Sequence, residues 1–467
     1  MLSLRPKNEA ADVLFLTGLA AFFILYGLGR GSLASWDEAI YATAARDMVQ
    51  SGNWIMMTLQ GSPWTDKPPL GIWATAVFYG IFGMSEFSAR LFSGLCGVGT
   101  VVAVYFLGRE LFNRWTGFLG GFVLLNSSHF FRMSRFGVLD APLTFFITLA
   151  LLFFWIGRRK NRWLIPFGIT FGLAIMTKGF AAFLILPVTW LHCFWAKERE
   201  VLGRSTYWIA LMIGALIAMP WYFTQIQARP HAFMDDVVGQ HFFARVTRPI
   251  DGHVGPIWFY FRTLVNKYHP WVLVALFSAP FFLWKALKER KPEFIFLASW
   301  TFGLFVMISL VSTKLHWYIF PVYPALSLTV GYFLAKWLPE DRKGWVKLAC
   351  VAAMFLHVPL SHLFSDTDRA ADVKGIAPLV VKTVPESGTV FFYNYHEAPA
   401  GYFYFDRKNQ YLDSVTEFFD HAAQPGPLYV LVHEKNMGPL KDAAARTGLE
   451  DVGGFQTLRL LARKGTG

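Results

Sequence analysis

Cysteine is scarce in this 467-residue chain. The three residues, Cys96, Cys193 and Cys350, each lie inside an apolar stretch. That excludes a disulfide scaffold, and no two of them have the spacing of a metal-ligand pair. Charge is scarce too. Asp, Glu, Lys and Arg make up 16% of the chain, against about 25% in soluble domains, which excludes an ordinary water-soluble globule for most of its length. Internal repeats and low-complexity tracts are absent, so repeat arrays are excluded as well.

What the chain has instead is hydrophobic length. It is 54% hydrophobic and 18% aromatic, with a mean hydropathy of +0.38. Apolar runs alternate with short charged segments, the pattern of a polytopic α-helical membrane protein. The runs predict about eleven spans, at 11–29, 87–108, 115–131, 138–157, 162–178, 179–196, 206–225, 269–286, 293–311, 316–337 and 345–363. Basic residues precede the first run as in a signal peptide, but the run has no clear cleavage site and reads as an uncleaved first helix.

With the N-terminus inside, the short loops 109–114, 158–162, 197–204, 285–291 and 336–347 all fall inside, and each carries Lys or Arg. This positive-inside bias sets the orientation and accounts for most of the +12 net charge without invoking nucleic acid. Basic residues left on the outer face, such as Arg46, Lys67, Arg90, Arg135, Lys178, Arg245 and Lys314, need another explanation. An anionic lipid phosphate is the partner their chemistry suggests.

Two outer loops are long. In the first, about 30–86, the Ile40, Ala44 and Met48 stripe predicts a helix lying in the membrane interface, and Pro68-Pro69 can open a second helix. The second, 226–268, is rich in aromatic, His and Arg residues and can cover or line a cavity. The chain thus divides into a membrane domain, 1–363, and a small soluble α/β domain, 364–467. In the latter, strands are expected at Val390–Tyr393, Leu428–Val432 and 457–463, and helices at 414–422 and 436–447. It carries no catalytic motif.

Charges in so apolar a chain mark candidate chemistry. Ser35-Trp36-Asp37-Glu38 follows the first span. Ser35-x-x-Glu38 fits a capping box, which makes Glu38 a structural residue and leaves Asp37 as the candidate general base. Asp66-Lys67 is either a surface ion pair or a phosphate grip, with Lys67 held extended by the proline that follows. Asp140, at the outer end of a span, is either a second active-site carboxylate or the partner of Arg132 or Arg135. His241 and Arg245 share a face if their segment is helical. Lys314 and Tyr318 have the same spacing at the mouth of a span, where snorkelling and phosphate binding are equal alternatives.

Taken together, Trp36-Asp37-Glu38, Asp66-Lys67-Pro68-Pro69, Arg135 through Pro142, Thr177-Lys178-Gly179 and Lys314-Leu315-x-x-Tyr318-Ile319-x-Pro321 resemble a known family. The sequence is similar to bacterial GT-C glycosyltransferases, in the branch of the lipid A aminoarabinose transferases and protein O-mannosyltransferases, over about residues 10–330. The resemblance implies a GT-C fold and inverting transfer of a sugar from a polyprenyl-phosphate donor, without a nucleotide cofactor, at the periplasmic face of the bacterial inner membrane. It implies Asp37 as base, with Asp140 assisting, and Lys67, Arg245 and Tyr318 on the donor phosphate. It further implies a divalent metal ion between Asp66 and His241. Lipid A or another envelope glycolipid is the expected acceptor, and a protein Ser or Thr is the alternative. A transporter or lipid flippase would also be polytopic, but here the charges gather at one face and not at mid-membrane.

Overall fold

The computed structural model describes residues 7–229, 233, 239, 243–250, 252–338, 344–363, 368, 370–395, 398–438, 440 and 447–463. The chain forms two compact units. One comprises Met1–Leu28, Thr65–Ala74 and Arg90–Ser365; the other comprises Gly29–Trp64, Thr75–Ala89 and Asp366–Gly467.

The first unit is a helical bundle. Among the described residues, seven helical stretches are long and apolar enough to cross a membrane: Asn8–Leu25, Glu86–Leu111, Asp140–Gly157, Asn161–Trp195, Ser205–Ala228, Pro292–Leu310 and His316–Trp337. The 35-residue stretch Asn161–Trp195 breaks at Gly179, whose φ of 55° leaves the helical region. The sequence places its division between two spans at that residue. The expected span 115–131 is instead two pieces, Arg114–Leu125 and Ser128–Met133, parted at Asn126-Ser127. At 12 residues the first piece is too short for a hydrocarbon core of about 30 Å.

Small residues bring the bundle's helices together. A Cβ on Gly117 would stand 2.2 Å from the Tyr105 carbonyl oxygen, and one on Gly168 would stand 2.0 Å from that of Ala210. Such close approach replaces the hydrophobic drive that lipid cannot supply between helices.

Buried charges tie the helix ends. Asp12, fully buried, pairs with Arg114 and, at 2.9 Å, with Lys347. Arg135 donates to the carbonyls of Phe23, Ile24, Tyr26 and Gly27, where the first helix ends, and Arg90 donates to that of Leu28. Lys314 donates to Ser309 and Val311 carbonyls at the end of the Leu304–Leu310 helix. These cations satisfy carbonyls that a helix C-terminus leaves open. Arg90, Arg135 and Lys314, grouped in the sequence with the cations expected on a lipid phosphate, thus have protein carbonyls as partners.

The second unit joins the first outer loop to the C-terminal sheet. The Asp37–Ser51 helix is mostly buried instead of lying free in an interface, and it packs on the Ala398–Phe405 helix. Arg46 donates to the Tyr402 and Phe403 carbonyls at that helix's end and pairs with Asp406. A two-residue hairpin follows, β1 (Thr58–Leu59) and β2 (Ser62–Pro63). Its turn residue Gln60 uses its amide to bond Arg407 O and Asn409 N.

The sheet has five strands: β3 (Thr389–Tyr393), β4 (Lys408–Leu412), β5 (Leu428–His433), β6 (Glu450–Phe455) and β7 (Leu458–Arg463), in the order β4-β3-β5-β7-β6. β3 runs parallel to β4 and β5, and β7 antiparallel to β5 and β6. The central β5 is buried over five consecutive residues, as its unbroken apolar run requires of a strand covered on both faces. The helices Ala371–Thr383 and Ala398–Phe405 belong to the core on one face, and Val415–Ala423 to that on the other. The expected helix 436–447 is replaced at its start by a turn, Glu434–Asn436, and its residues 441–446 lie outside the described residues.

Candidate active site

Three of the motifs meet inside the first unit. Pro68-Pro69 opens the Leu70–Phe82 helix, with Trp73 N–H bonding Pro69 O at 2.7 Å. One turn along, Gly71 lies so close to Leu139 that a Cβ would stand 2.2 Å from its Cδ2. A Cβ on Gly179 would meet the Tyr222 hydroxyl at 3.1 Å and Pro68 Cγ at 3.7 Å. Between these contacts, Lys178 donates to Asp140 at 2.7 Å, their side chains only 12% and 6% exposed. Asp140 is the first residue of the Asp140–Gly157 helix, where the helix dipole also favours a carboxylate. Lys178 is a partner that the sequence reading did not name for it. The residues are distant in the chain, and only the quoted Thr177-Lys178-Gly179 motif hinted at it.

Asp66 is exposed and Lys67 half-buried, and the lysine ammonium reaches the Asp66 carbonyl at 3.3 Å. Pro68 disfavours a helical backbone at Lys67, and its own ring lies beside Gly179.

A second group forms where residues 245–253 run beside 312–314. Backbone bonds from Ser312 to Val246, Thr313 to Arg245 and Lys314 to His253 fix the two segments in register. Arg245 Nη1 then donates to the Tyr318 hydroxyl at 2.9 Å. A guanidinium and a phenol in contact present N–H and O–H donors of the kind that hold phosphate oxygens. Lys314 sits in the same strip, but its ammonium is turned onto the Ser309 and Val311 carbonyls at 2.6 and 2.5 Å. Burial lowers its pKa from the ordinary lysine value.

Behind Tyr318 runs a buried polar chain that sequence reading missed. His129 contacts the Tyr323 hydroxyl at 2.7 Å through Nδ1 and His316 Nδ1 at 3.2 Å through Nε2. No local spacing announces it, because His129 and His316 are 187 residues apart.

Asp37 and Glu38 belong to the second unit and open the Asp37–Ser51 helix. The helix starts one residue later than a Ser35 cap requires. Trp36 takes the cap position, without a side-chain cap hydrogen bond. Glu38 still turns back, accepting from Ala34 N–H at 2.6 Å, and is 1% exposed. Asp37 is half-buried.

Of the two residues that the resemblance implies as metal ligands, Asp66 and His241, only Asp66 is described. His241 lies outside the described residues, and among the described residues no group of three or more His, Cys, Asp or Glu side chains is placed to hold a metal ion.

Residues 66–223 match the family model of dolichyl-phosphate-mannose-protein mannosyltransferase. An uncharacterized protein of Aquifex aeolicus (strain VF5) is 31% identical over 344 residues, 73% of this chain and 76% of its own. The undecaprenyl phosphate-alpha-4-amino-4-deoxy-L-arabinose arabinosyl transferase of Yersinia pestis (strain Pestoides F) is 30% identical over 343 residues, 71% of this chain. The match spans 61% of that transferase's length. In fold, the chain resembles the crystal structure of ArnT from Cupriavidus metallidurans bound to undecaprenyl phosphate, with a TM-score of 0.80 over 96% of this chain and 97% of that one, at 19% identity.

Proposed function

The chain belongs to the GT-C membrane glycosyltransferases, in the group of the aminoarabinose transferases and protein O-mannosyltransferases, and we propose that it transfers a sugar from a polyprenyl-phosphate donor to lipid A or another envelope glycolipid. The reaction takes place at the periplasmic face of the inner membrane, the side opposite the Lys- and Arg-rich short loops. Residues 1–363 form the transferase domain and 364–467 a small periplasmic domain.

An acceptor oxygen attacks the anomeric carbon while the bond to the polyprenyl phosphate breaks on the opposite face, inverting the configuration. When the acceptor is a hydroxyl, Asp37 takes its proton. When it is a phosphate, already ionised, positioning replaces base catalysis. Lys67, Arg245 and Tyr318 stabilise the charge growing on the departing phosphate. Asp140, with Lys178, assists beside them. Lys314, engaged by helix carbonyls, acts by holding its strip in place.

The Arg245–Tyr318 contact carries this reading: it aims two donors of complementary geometry from segments far apart in the chain. The family model matched by residues 66–223 favours one alternative acceptor, a protein Ser or Thr. Mass spectrometry of lipid A and total glycolipids, from cells with and without the protein, tests the choice. Loss of a sugar-modified envelope lipid is expected, together with loss of transfer in Asp37→Asn and unchanged folding. Unaltered lipids with altered protein glycosylation would select the protein acceptor, and full activity of Asp37→Asn would remove the base.

A further inference from the structure

The C-terminal sheet carries no catalytic motif, yet its surroundings reach into the backbone just ahead of Asp37. Within the second unit, four consecutive residues are held one by one. Lys374 Nζ donates to Gly31 O at 3.4 Å. Ser32 gives its N–H to Asp368 Oδ2 at 2.9 Å and its hydroxyl to Asp368 Oδ1. Leu33 N–H donates to the Tyr404 hydroxyl at 2.7 Å, and Ala34 N–H to Glu38 at 2.6 Å. Three of these four anchors come from beyond residue 366.

The anchors are themselves fixed. The Tyr404 hydroxyl donates onward to Glu86 Oε1 at 3.0 Å, and Lys374 pairs with the same oxygen at 2.5 Å. Gly31 makes the approach possible. Its φ of 79° is a region that L side chains avoid, and a Cβ there would stand 3.3 Å from Asp368 Oδ2.

Downstream of the clamp lies Trp36, 56% exposed, with φ 70° and ψ −123°. A bulky residue held in so rarely populated a conformation costs about 1–3 kcal/mol and persists only where its surroundings over-determine it. Here the clamped 31–34 segment on one side and the Asp37–Ser51 helix on the other impose it. The carboxylate that follows is therefore placed by the clamp and not by its own helix alone.

We propose that Tyr404, together with Asp368, is a positioning residue for Asp37, so that the C-terminal domain sets where the candidate base stands. This rests on the reading of Asp37 as the base. A displacement of about 1 Å at a reacting group can cost about 100-fold in rate, whereas donor affinity, governed by other residues, need not change.

The test uses the full-length protein with Tyr404→Phe, which keeps the ring and deletes the hydroxyl, and Asp368→Asn as a second, independent variant. Transfer is measured in vesicles with undecaprenyl phosphate-linked aminoarabinose as donor and lipid A as acceptor. Turnover is normalised to sites that bind undecaprenyl phosphate, so that misfolded protein is not counted. The expected result is a fall of about 10–100-fold in kcat per site with donor KM within about twofold, accompanied by faster amide exchange over residues 31–38. Faster exchange with unchanged kcat per site would overturn the proposal, because the clamp would then be only structural. So would unchanged exchange in both variants. An active Asp37→Asn protein marks a different failure, that of the base reading itself.

Discussion

The Lys178–Asp140 pair can be taken apart by a double-mutant cycle. At 2.7 Å, with both side chains nearly sealed from solvent, removal of either charge takes the ion-pair partner from the other. Breaking one member of a buried pair costs about 3–5 kcal/mol, much of it the penalty on the partner left behind. Asp140→Asn and Lys178→Met should each lose stability on that scale. The double variant leaves neither charge behind and should lose less stability than either single variant. Unfolding in mixed micelles at rising SDS fraction gives the four free energies. Transfer activity of the same proteins separates the two roles open to Asp140. If its carboxylate assists the reaction, the double variant stays inactive although its stability recovers. If it serves only Lys178, activity returns with stability. Single losses that simply add, or a single variant within about 1 kcal/mol of wild type, would refute the reasoning.

Arg135→Met should destabilise the protein by about 3–5 kcal/mol, because four carbonyls at the end of the first helix lose one charged donor. Arg135→Lys should recover only part of this, since an ammonium lacks the guanidinium fork; thermal inactivation in detergent measures both, and wild-type inactivation temperatures would contradict the assignment. Glu198 makes a pH prediction. Burial pushes its carboxyl up, but the hydrogen bond from His192 and the charge and hydrogen bond of Arg158 outweigh it, bringing the pKa down from 4.5 to about 2. A depressed pKa contributes stability that is present above about pH 4.5 and is lost as pH falls towards about 2. Glu198→Gln should therefore flatten the fall in stability between pH 5 and pH 3, read as the inactivation temperature, and an unchanged slope would exclude Glu198 as its source.

Features written in local sequence were the ones that could be read from it. Hydropathy located the seven long apolar stretches among the described residues, though not the eleven spans expected; Pro68-Pro69 marked the start of the Leu70–Phe82 helix, and Gly179 marked the break between two apolar runs. The order of motifs gave the family. What escaped was non-local. Asp140 finds Lys178, Arg135 reaches the carbonyls of Phe23 through Gly27, and Lys314 turns onto Ser309 and Val311. A carbonyl partner leaves no mark in a sequence, because every residue has one. The cap at Trp36 was hidden for a related reason. Ser35 and Glu38 have capping-box spacing, but the helix is capped at Trp36, after a segment bonded to Asp368 and Tyr404 far along the chain. In the C-terminal sheet the buried β5 was plain, whereas the edge strands β4 and β6, with few apolar residues, passed unnoticed.

The glycine contacts in the bundle constrain how this protein can change through evolution. A methyl group at 117 or 168 would enter the backbone of the neighbouring helix, so no rotamer adjustment can absorb it. Two helices would have to separate together, and with them the loops they carry. Descendants of this chain can rewrite exposed apolar residues such as Met212, Leu216 and Phe223 one at a time, but the seam positions can change only in concert. Sequence drift should therefore be fast around the rim of the bundle and nearly frozen along the lines where its backbones touch.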